Sequence, residues 1–206
     1  MAGDRRPRPG VLDRPHGRSR TRVGRSPPHL TSWLRSQPDH EGGTLPCRGI
    51  SIDYGGTLTS PYIDAQLGQK PICPRAAATL RLLHDLGLRF ALGSNTKPGQ
   101  CRRRALRAAG VEELFDAVIE SEQAGIRKPD PTFYRLVEDA LGLPAAEIAA
   151  VGNNLLNDVS APLDYGFGAA FLIRSGGVLR QGEMLPPGAC VIDSIGRLPS
   201  LFRGSQ

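Results

Sequence analysis

Histidine, aromatic side chains and paired cysteines are all scarce in this chain of 206 residues, and each scarcity removes a class of protein. There are four histidines, three of them within the first forty residues, so neither a histidine-rich metal site nor a Ser-His-Asp triad is expected. Cys47, Cys73, Cys101 and Cys190 lie far apart with no C-x-x-C pair, which excludes the familiar zinc and dithiol spacings and gives no disulfide framework. The expected compartment is therefore reducing, that is, cytoplasmic. Nowhere do eighteen apolar residues run together, so no transmembrane helix and no membrane partner are expected. Aromatic residues make up 5% and apolar residues 39%, which is lean but enough for a domain of about 150 residues to bury a core.

The net charge of +6 is unevenly placed. Residues 1–46 hold nine arginines against four acids, whereas the remainder holds seventeen basic and sixteen acidic residues. The first stretch also carries seven prolines and six glycines, and no helical or strand period survives in it. Such a segment cannot offset its ordering entropy by burial, so residues 1–46 are expected to be a disordered Arg/Pro-rich tail. Arg5-Arg6 resembles the start of a twin-arginine signal, but no apolar region follows it, and export is not expected. Clustered arginine can neutralise nucleic-acid phosphate. Without interleaved aromatics, a solvated tail is the preferred reading and nucleic acid the secondary one.

From residue 47 to 206 the texture becomes that of one α/β domain. Short apolar runs (48–53, 89–93, 115–119, 148–152 and 169–173) alternate with helical patterns. The helices are expected at 74–86, 98–110, 130–141 and 157–165, with glycines or prolines at their ends. On the first helix, Thr79, Leu82, Leu83 and Leu86 form the expected buried stripe. One more strand and a short helix are expected over 189–203. The alternation implies βαβ units in a mainly parallel sheet, a Rossmann-like three-layer α/β/α sandwich. Ligands of such sheets bind beyond the carboxyl ends of the strands, where Asp53, Ser94, Glu120 and Asn153 stand. Backbone N–H groups of Asp-x-Gly-Gly-Thr and a hydroxyl at Ser94-Asn95 suit an anion. Lys128 offers a neutralising charge, and Asp53 and Asp158 offer oxygen ligands for a divalent cation.

Four motifs in order now resemble those of the haloacid dehalogenase superfamily. They are Ile50-Ser51-Ile52-Asp53-Tyr54-Gly55-Gly56-Thr57-Leu58, Leu92-Gly93-Ser94-Asn95, Arg127-Lys128-Pro129-Asp130-Pro131 and Val151-Gly152-Asn153-Asn154-Leu155-Leu156-Asn157-Asp158. The resemblance spans about 47–203. It implies magnesium-dependent phosphoryl transfer with Asp53 as the nucleophile that forms an aspartyl-phosphate. It further implies phosphate binding by Gly55, Gly56, Ser94, Asn95 and Lys128, and Mg2+ held by Asp53, the Gly55 carbonyl, Asn153 and Asp158.

Two residues depart from the pattern. Gly55 stands where the second acid of the family usually does, which removes general acid–base help worth about 10²–10⁴-fold. Asn153 stands where the fourth motif usually has an acid, which weakens a cation site. Between Asp53 and Ser94, residues 59–73 are long enough for a flap and too short for a cap domain, so a capless member is implied. An open site suits a macromolecular or acyl-phosphate substrate, or a second copy of the chain as cover. The Arg102, Arg103, Arg104 and Arg107 run reads as an ordinary solvated helix face, with steering of an anionic substrate as the secondary reading. The two departures also motivate an alternative, a catalytically impaired binding or regulatory module.

Overall fold

The computed structural model describes residues 45–203, so all but the last two residues of the expected tail lie outside it. Six strands form one sheet: β1 (Gly49–Ile52), β2 (Arg89–Ser94), β3 (Ala117–Glu120), β4 (Ile148–Gly152), β5 (Ala169–Ile173) and β6 (Ala189–Ile192). All are parallel, in the order β3-β2-β1-β4-β5-β6. β1 is central and short, with Ile52 in register with Leu92 on one side and Val151 on the other. Successive side chains of a strand serve opposite faces, and the core divides accordingly. Ile50, Ile52, Phe90, Leu92, Ala149 and Val151 join one apolar cluster, whereas Ala91, Ile148 and Ala150 join the other. Burial on both faces explains why these strands are almost continuously apolar.

The first face is covered by α1 (Pro74–Asp85), α2 (Arg102–Ala108) and α6 (Leu198–Phe202). The second is covered mainly by α4 (Pro131–Leu141) and α5 (Ala161–Tyr165), while α3 is the single turn Ser121–Ala124. The three-layer α/β/α sandwich is thus as the sequence implies. Residues 59–73 form a hairpin, with bridges Thr59–Ile72 and Asp64–Gln69, and no cap domain is present among the described residues.

Three local expectations need correction. α1 buries Ala76, Thr79, Leu80 and Leu83, while Leu82 and Leu86 are exposed, so its stripe lies about a sixth of a turn from the expected one. The helix expected from Pro98 begins at Arg102, because Gly99 takes φ 79° and the chain turns there, with Gln100 N donating to Lys97 O. The fourth helical segment opens as one π turn, Leu156–Ser160, before α5. Pro162 has no N–H for the carbonyl four residues back, and the wider turn accommodates its ring.

Candidate active site

The strand order reverses at β1: the chain runs out through β2 and β3 and returns to place β4 on the other side. The crevice beyond this switch holds Asp53, Gly55, Ser94, Asn95, Arg102 and Lys128, with the 153–158 loop as its far wall. Its volume is about 180 Å³, room for a small substrate. A larger hollow of about 310 Å³ lies around His84, Arg89 and Asp116, at the opposite end of the strands and away from the motif residues.

Asp53 follows β1 directly, its N–H bonded to Val151 O at 2.9 Å. Its Oδ1 accepts from Lys128 Nζ at 3.0 Å and its Oδ2 from Thr57 Oγ1 at 3.3 Å. Lys128 Nζ also donates to Asp158 Oδ1 at 2.6 Å. One ammonium therefore bridges two carboxylates from opposite sides of the switch point. Burial works to strip the Lys128 proton, but Asp53 and Asp158 overcome it and hold the ammonium above its ordinary value. Burial pushes the Asp158 carboxyl up to about 6 despite the attraction of Lys128.

Local sequence explains the placement. Asp158 Oδ2 accepts from Asn154 N at 2.9 Å, and Asn154 Oδ1 accepts from Asn157 N at 2.9 Å, so the loop after β4 folds around its own polar side chains. The Asp158 carboxylate occupies the space where a side chain at Gly152 would begin, since a Cβ there would lie 2.2 Å from Oδ2. Lys128 is held through its backbone: Asn95 Nδ2 donates to Lys128 O at 2.9 Å, and Lys128 N donates to Asn95 Oδ1 at 3.0 Å.

Two of the expected phosphate contacts change role. The Asn95 side chain is committed to the Lys128 loop, so it positions the lysine. Gly56 N–H donates to Thr59 Oγ1 at 3.1 Å and closes the turn instead of facing the cleft. Gly55, Ser94 and Lys128 do line the cleft together.

Sequence reasoning missed Arg102, Gln69 and Arg174. The Arg102 side chain turns inward and sits beside Ser94, with Nε donating to Ser94 Oγ at 3.2 Å. Gln69 from the hairpin accepts from Arg102 Nη1 at 3.0 Å. Arg174 is buried behind the 153–158 loop, donating to Asn153 O at 2.6 Å and pairing with Glu183 at 2.6 Å. Four arginines at 102–107 carry no signal that one of them faces inward. The only available clue was Gly99, which delays the helix start.

A model of the haloacid dehalogenase-like hydrolases matches residues 10–166, most of the chain. The chain belongs to this haloacid dehalogenase-like hydrolase family. The match begins within the Arg/Pro-rich stretch, ahead of the described residues. Among relatives of this hydrolase is an (S)-2-haloacid dehalogenase of Pseudomonas sp. strain YL, 29% identical over 164 residues, covering 75% of this chain and 69% of the relative. A phosphoserine phosphatase of Thermus thermophilus is 38% identical over 89 residues, covering 43% of this chain and 35% of the relative. This hydrolase thus spans about two thirds of the one and about a third of the other. The L-2-haloacid dehalogenase of Xanthobacter autotrophicus shares the fold, with a TM-score of 0.60 at 21% identity over 78% of this chain and 100% of that one.

The donor set fits Mg2+, though sparingly. Mg2+ takes one or two carboxylates and keeps several waters until substrate phosphate arrives. Asp53, the Gly55 residue and Asn153 share the cleft with Asp158. Asp158 is a weaker donor than an unshared carboxylate, because each of its oxygens already accepts a hydrogen bond. Among the described residues no three His, Cys, Asp or Glu side chains cluster as a metal site, in keeping with Gly55 and Asn153 in place of acids. No helix among them is long and apolar enough to cross a membrane.

Proposed function

We propose that this hydrolase acts through a covalent intermediate on Asp53, on a small anionic substrate whose leaving group departs as a stable anion. The observation that carries the reading is the Asp53–Lys128–Asp158 cluster facing a position, Gly55, with no acid. Lys128, 3.0 Å from Asp53, offsets the carboxylate's charge and lets it approach an anionic group with less repulsion. Nothing at residue 55 can protonate a departing alkoxide. The leaving group must therefore be stable without a proton.

For an acyl or activated aryl phosphate, Asp53 attacks phosphorus and the bond to the leaving oxygen breaks, with the electron pair going to that oxygen. Ser94 and Lys128 hold phosphoryl oxygens. Water then attacks the phosphorus of the aspartyl-phosphate, and phosphate leaves as Asp53 is restored. Mg2+ at Asp53, the Gly55 carbonyl and Asn153, with Asp158 as support, would neutralise charge on the phosphoryl group. A phosphatase among the relatives supports this reading.

A second reading is displacement of halide from a haloacid. The haloacid dehalogenase relatives favour it, and so does Gly55, since halide needs no proton to leave. One experiment separates the two. Phosphate release from acetyl phosphate and p-nitrophenyl phosphate, and chloride release from 2-chloropropionate, are followed with and without Mg2+ in wild type and Asp53→Asn. Mg2+-dependent phosphate release that falls by about 10³-fold or more in Asp53→Asn supports phosphoryl transfer. Chloride release independent of Mg2+ supports dehalogenation. Silence in wild type with phosphate release gained in Gly55→Asp overturns both and leaves a binding module.

A further inference from the structure

Arg102 is the first residue of α2, and more than nine-tenths of its surface is buried. Its guanidinium stacks over the Tyr54 ring, 4.3 Å from the centroid. Its hydrogen bonds go to Ser94 Oγ at 3.2 Å, Gln69 Oε1 at 3.0 Å and Gln100 Oε1 at 2.8 Å. Every one of these acceptors is neutral. Among the described residues no carboxylate lies within 4.0 Å of the guanidinium as an ion-pair partner. Glu120 is nearby, but its Oε1 accepts from the Arg102 backbone N–H at 2.6 Å, and its Oε2 is buried with no hydrogen-bond partner.

A guanidinium has five N–H groups, and three are used here. One N–H on each terminal nitrogen is left over, in the planar fork that fits a carboxylate or phosphate. Arg102 lines the cleft, on the hairpin side of Ser94, while Lys128 and Asp158 stand on the β4 side. The two cations differ in how they are neutralised. Lys128 is matched by two carboxylates, whereas the Arg102 guanidinium hydrogen-bonds only neutral acceptors and the adjacent Glu120 carboxylate meets its backbone N–H, an arrangement that an anionic ligand would complete. The bond to Ser94 adds a second effect. The arginine N–H only donates, so Ser94 Oγ accepts from it and its own hydroxyl proton is free to point at a ligand.

We infer that Arg102, with Ser94, forms a subsite for a second anionic group of the substrate, so that the preferred substrates carry a carboxylate or phosphate beside the group that Asp53 attacks. The inference rests on the proposed role of Asp53 only for where the reacting group sits.

Binding of inert probes tests it without turnover. Full-length wild type, Arg102→Gln and Arg102→Lys are titrated calorimetrically with phosphonoacetate, which has two anionic groups, and with methylphosphonate, which has one. Malonate and acetate form a second pair without phosphorus. Wild type is expected to prefer the two-charge member by about 10- to 100-fold, the range for a hydrogen-bonded charge. Arg102→Gln removes the preference, and Arg102→Lys, which keeps the charge and loses the fork, reduces it severalfold. If Arg102→Gln does not fold, the severalfold reduction in Arg102→Lys decides. The inference is overturned by a wild type with no preference in either pair, by a preference untouched in the variants, or by equal weakening of both members. A preference seen only with malonate over acetate upholds the subsite while counting against a phosphoryl group at Asp53.

Discussion

Lys128 and Arg102 line the same cleft, and each exposes less than a tenth of its surface, 6% for the lysine and 8% for the arginine. The lysine stands between two carboxylates. The arginine stands among two amide oxygens, a hydroxyl and a phenol ring. Both are desolvated, and only one recovers the loss inside the protein. The lysine thus has its counter-charges within the fold, whereas the arginine has hydrogen bonds and a ring but no ion pair. A buried charge with its partner in place mostly fixes geometry, while one without a partner is a standing demand for a ligand.

Replacement of each cation by methionine sharpens this contrast most. Lys128→Met leaves Asp53 and Asp158 facing each other without a cation, and the expected loss is about 3–5 kcal/mol in urea unfolding. Arg102→Met breaks no ion pair but leaves the Gln69 and Gln100 oxygens without their donor, so the expected loss is smaller, about 1–3 kcal/mol. Equal losses in the two variants would break the comparison.

Activity gives the next largest effect. Gly55 has open space where a Cβ would stand, so a side chain can begin there without a backbone clash. Gly55→Asp is expected to raise turnover of alkyl phosphates, which need a proton on the leaving oxygen, by about 100-fold over wild type. Activated aryl phosphates should gain much less, and the ratio of the two rates is the measurement.

The smallest effect concerns the pair behind the β4 loop. The Arg174 guanidinium beside Glu183 holds its carboxyl far below the usual value, at about 2. Because the folded value is depressed, the pair's stabilisation is present above the ordinary 4.5 and is lost as pH falls towards about 2. Glu183→Gln should therefore be less stable than wild type at pH 7, and the two melting curves should converge as the pH is lowered through that window.

What the sequence disclosed follows from the same contrast. Asp53, Ser94, Lys128 and Asp158 were legible because each follows a strand end or sits in a spaced motif, and backbone topology alone brings strand ends together. The six-strand sheet was legible because burial on both faces leaves long apolar runs. Arg102 was hidden, since inward or outward depends on where the helix begins, and a helix from Pro98 would have turned the arginine run differently. The misplaced stripe on α1 has a related cause. Leu82 and Leu86 share a helical face with Leu83 only approximately, and it is Leu80 and Leu83 that join the apolar cluster holding Phe90 and Leu106. For Asn95 and Gly56, which atom meets which partner is decided by the Lys128 backbone 33 residues away and the Thr59 side chain three residues away.

The hairpin 59–73 is pinned at its base, where Ser60 N donates to Pro71 O and Cys73 N donates to Leu58 O. Gln69 ties its returning arm to α2, through Cys101 O and Arg102. Between its two bridges the outgoing arm bends at Tyr62 and Ile63, which project into solvent. New sequence spliced in at that bend would leave the pins and the core undisturbed, on the same hairpin whose Gln69 holds the cleft residue Arg102. The scaffold is therefore modular at this one point: substrate range could be rewritten by grafting there, with the chemistry at Asp53 left as it is.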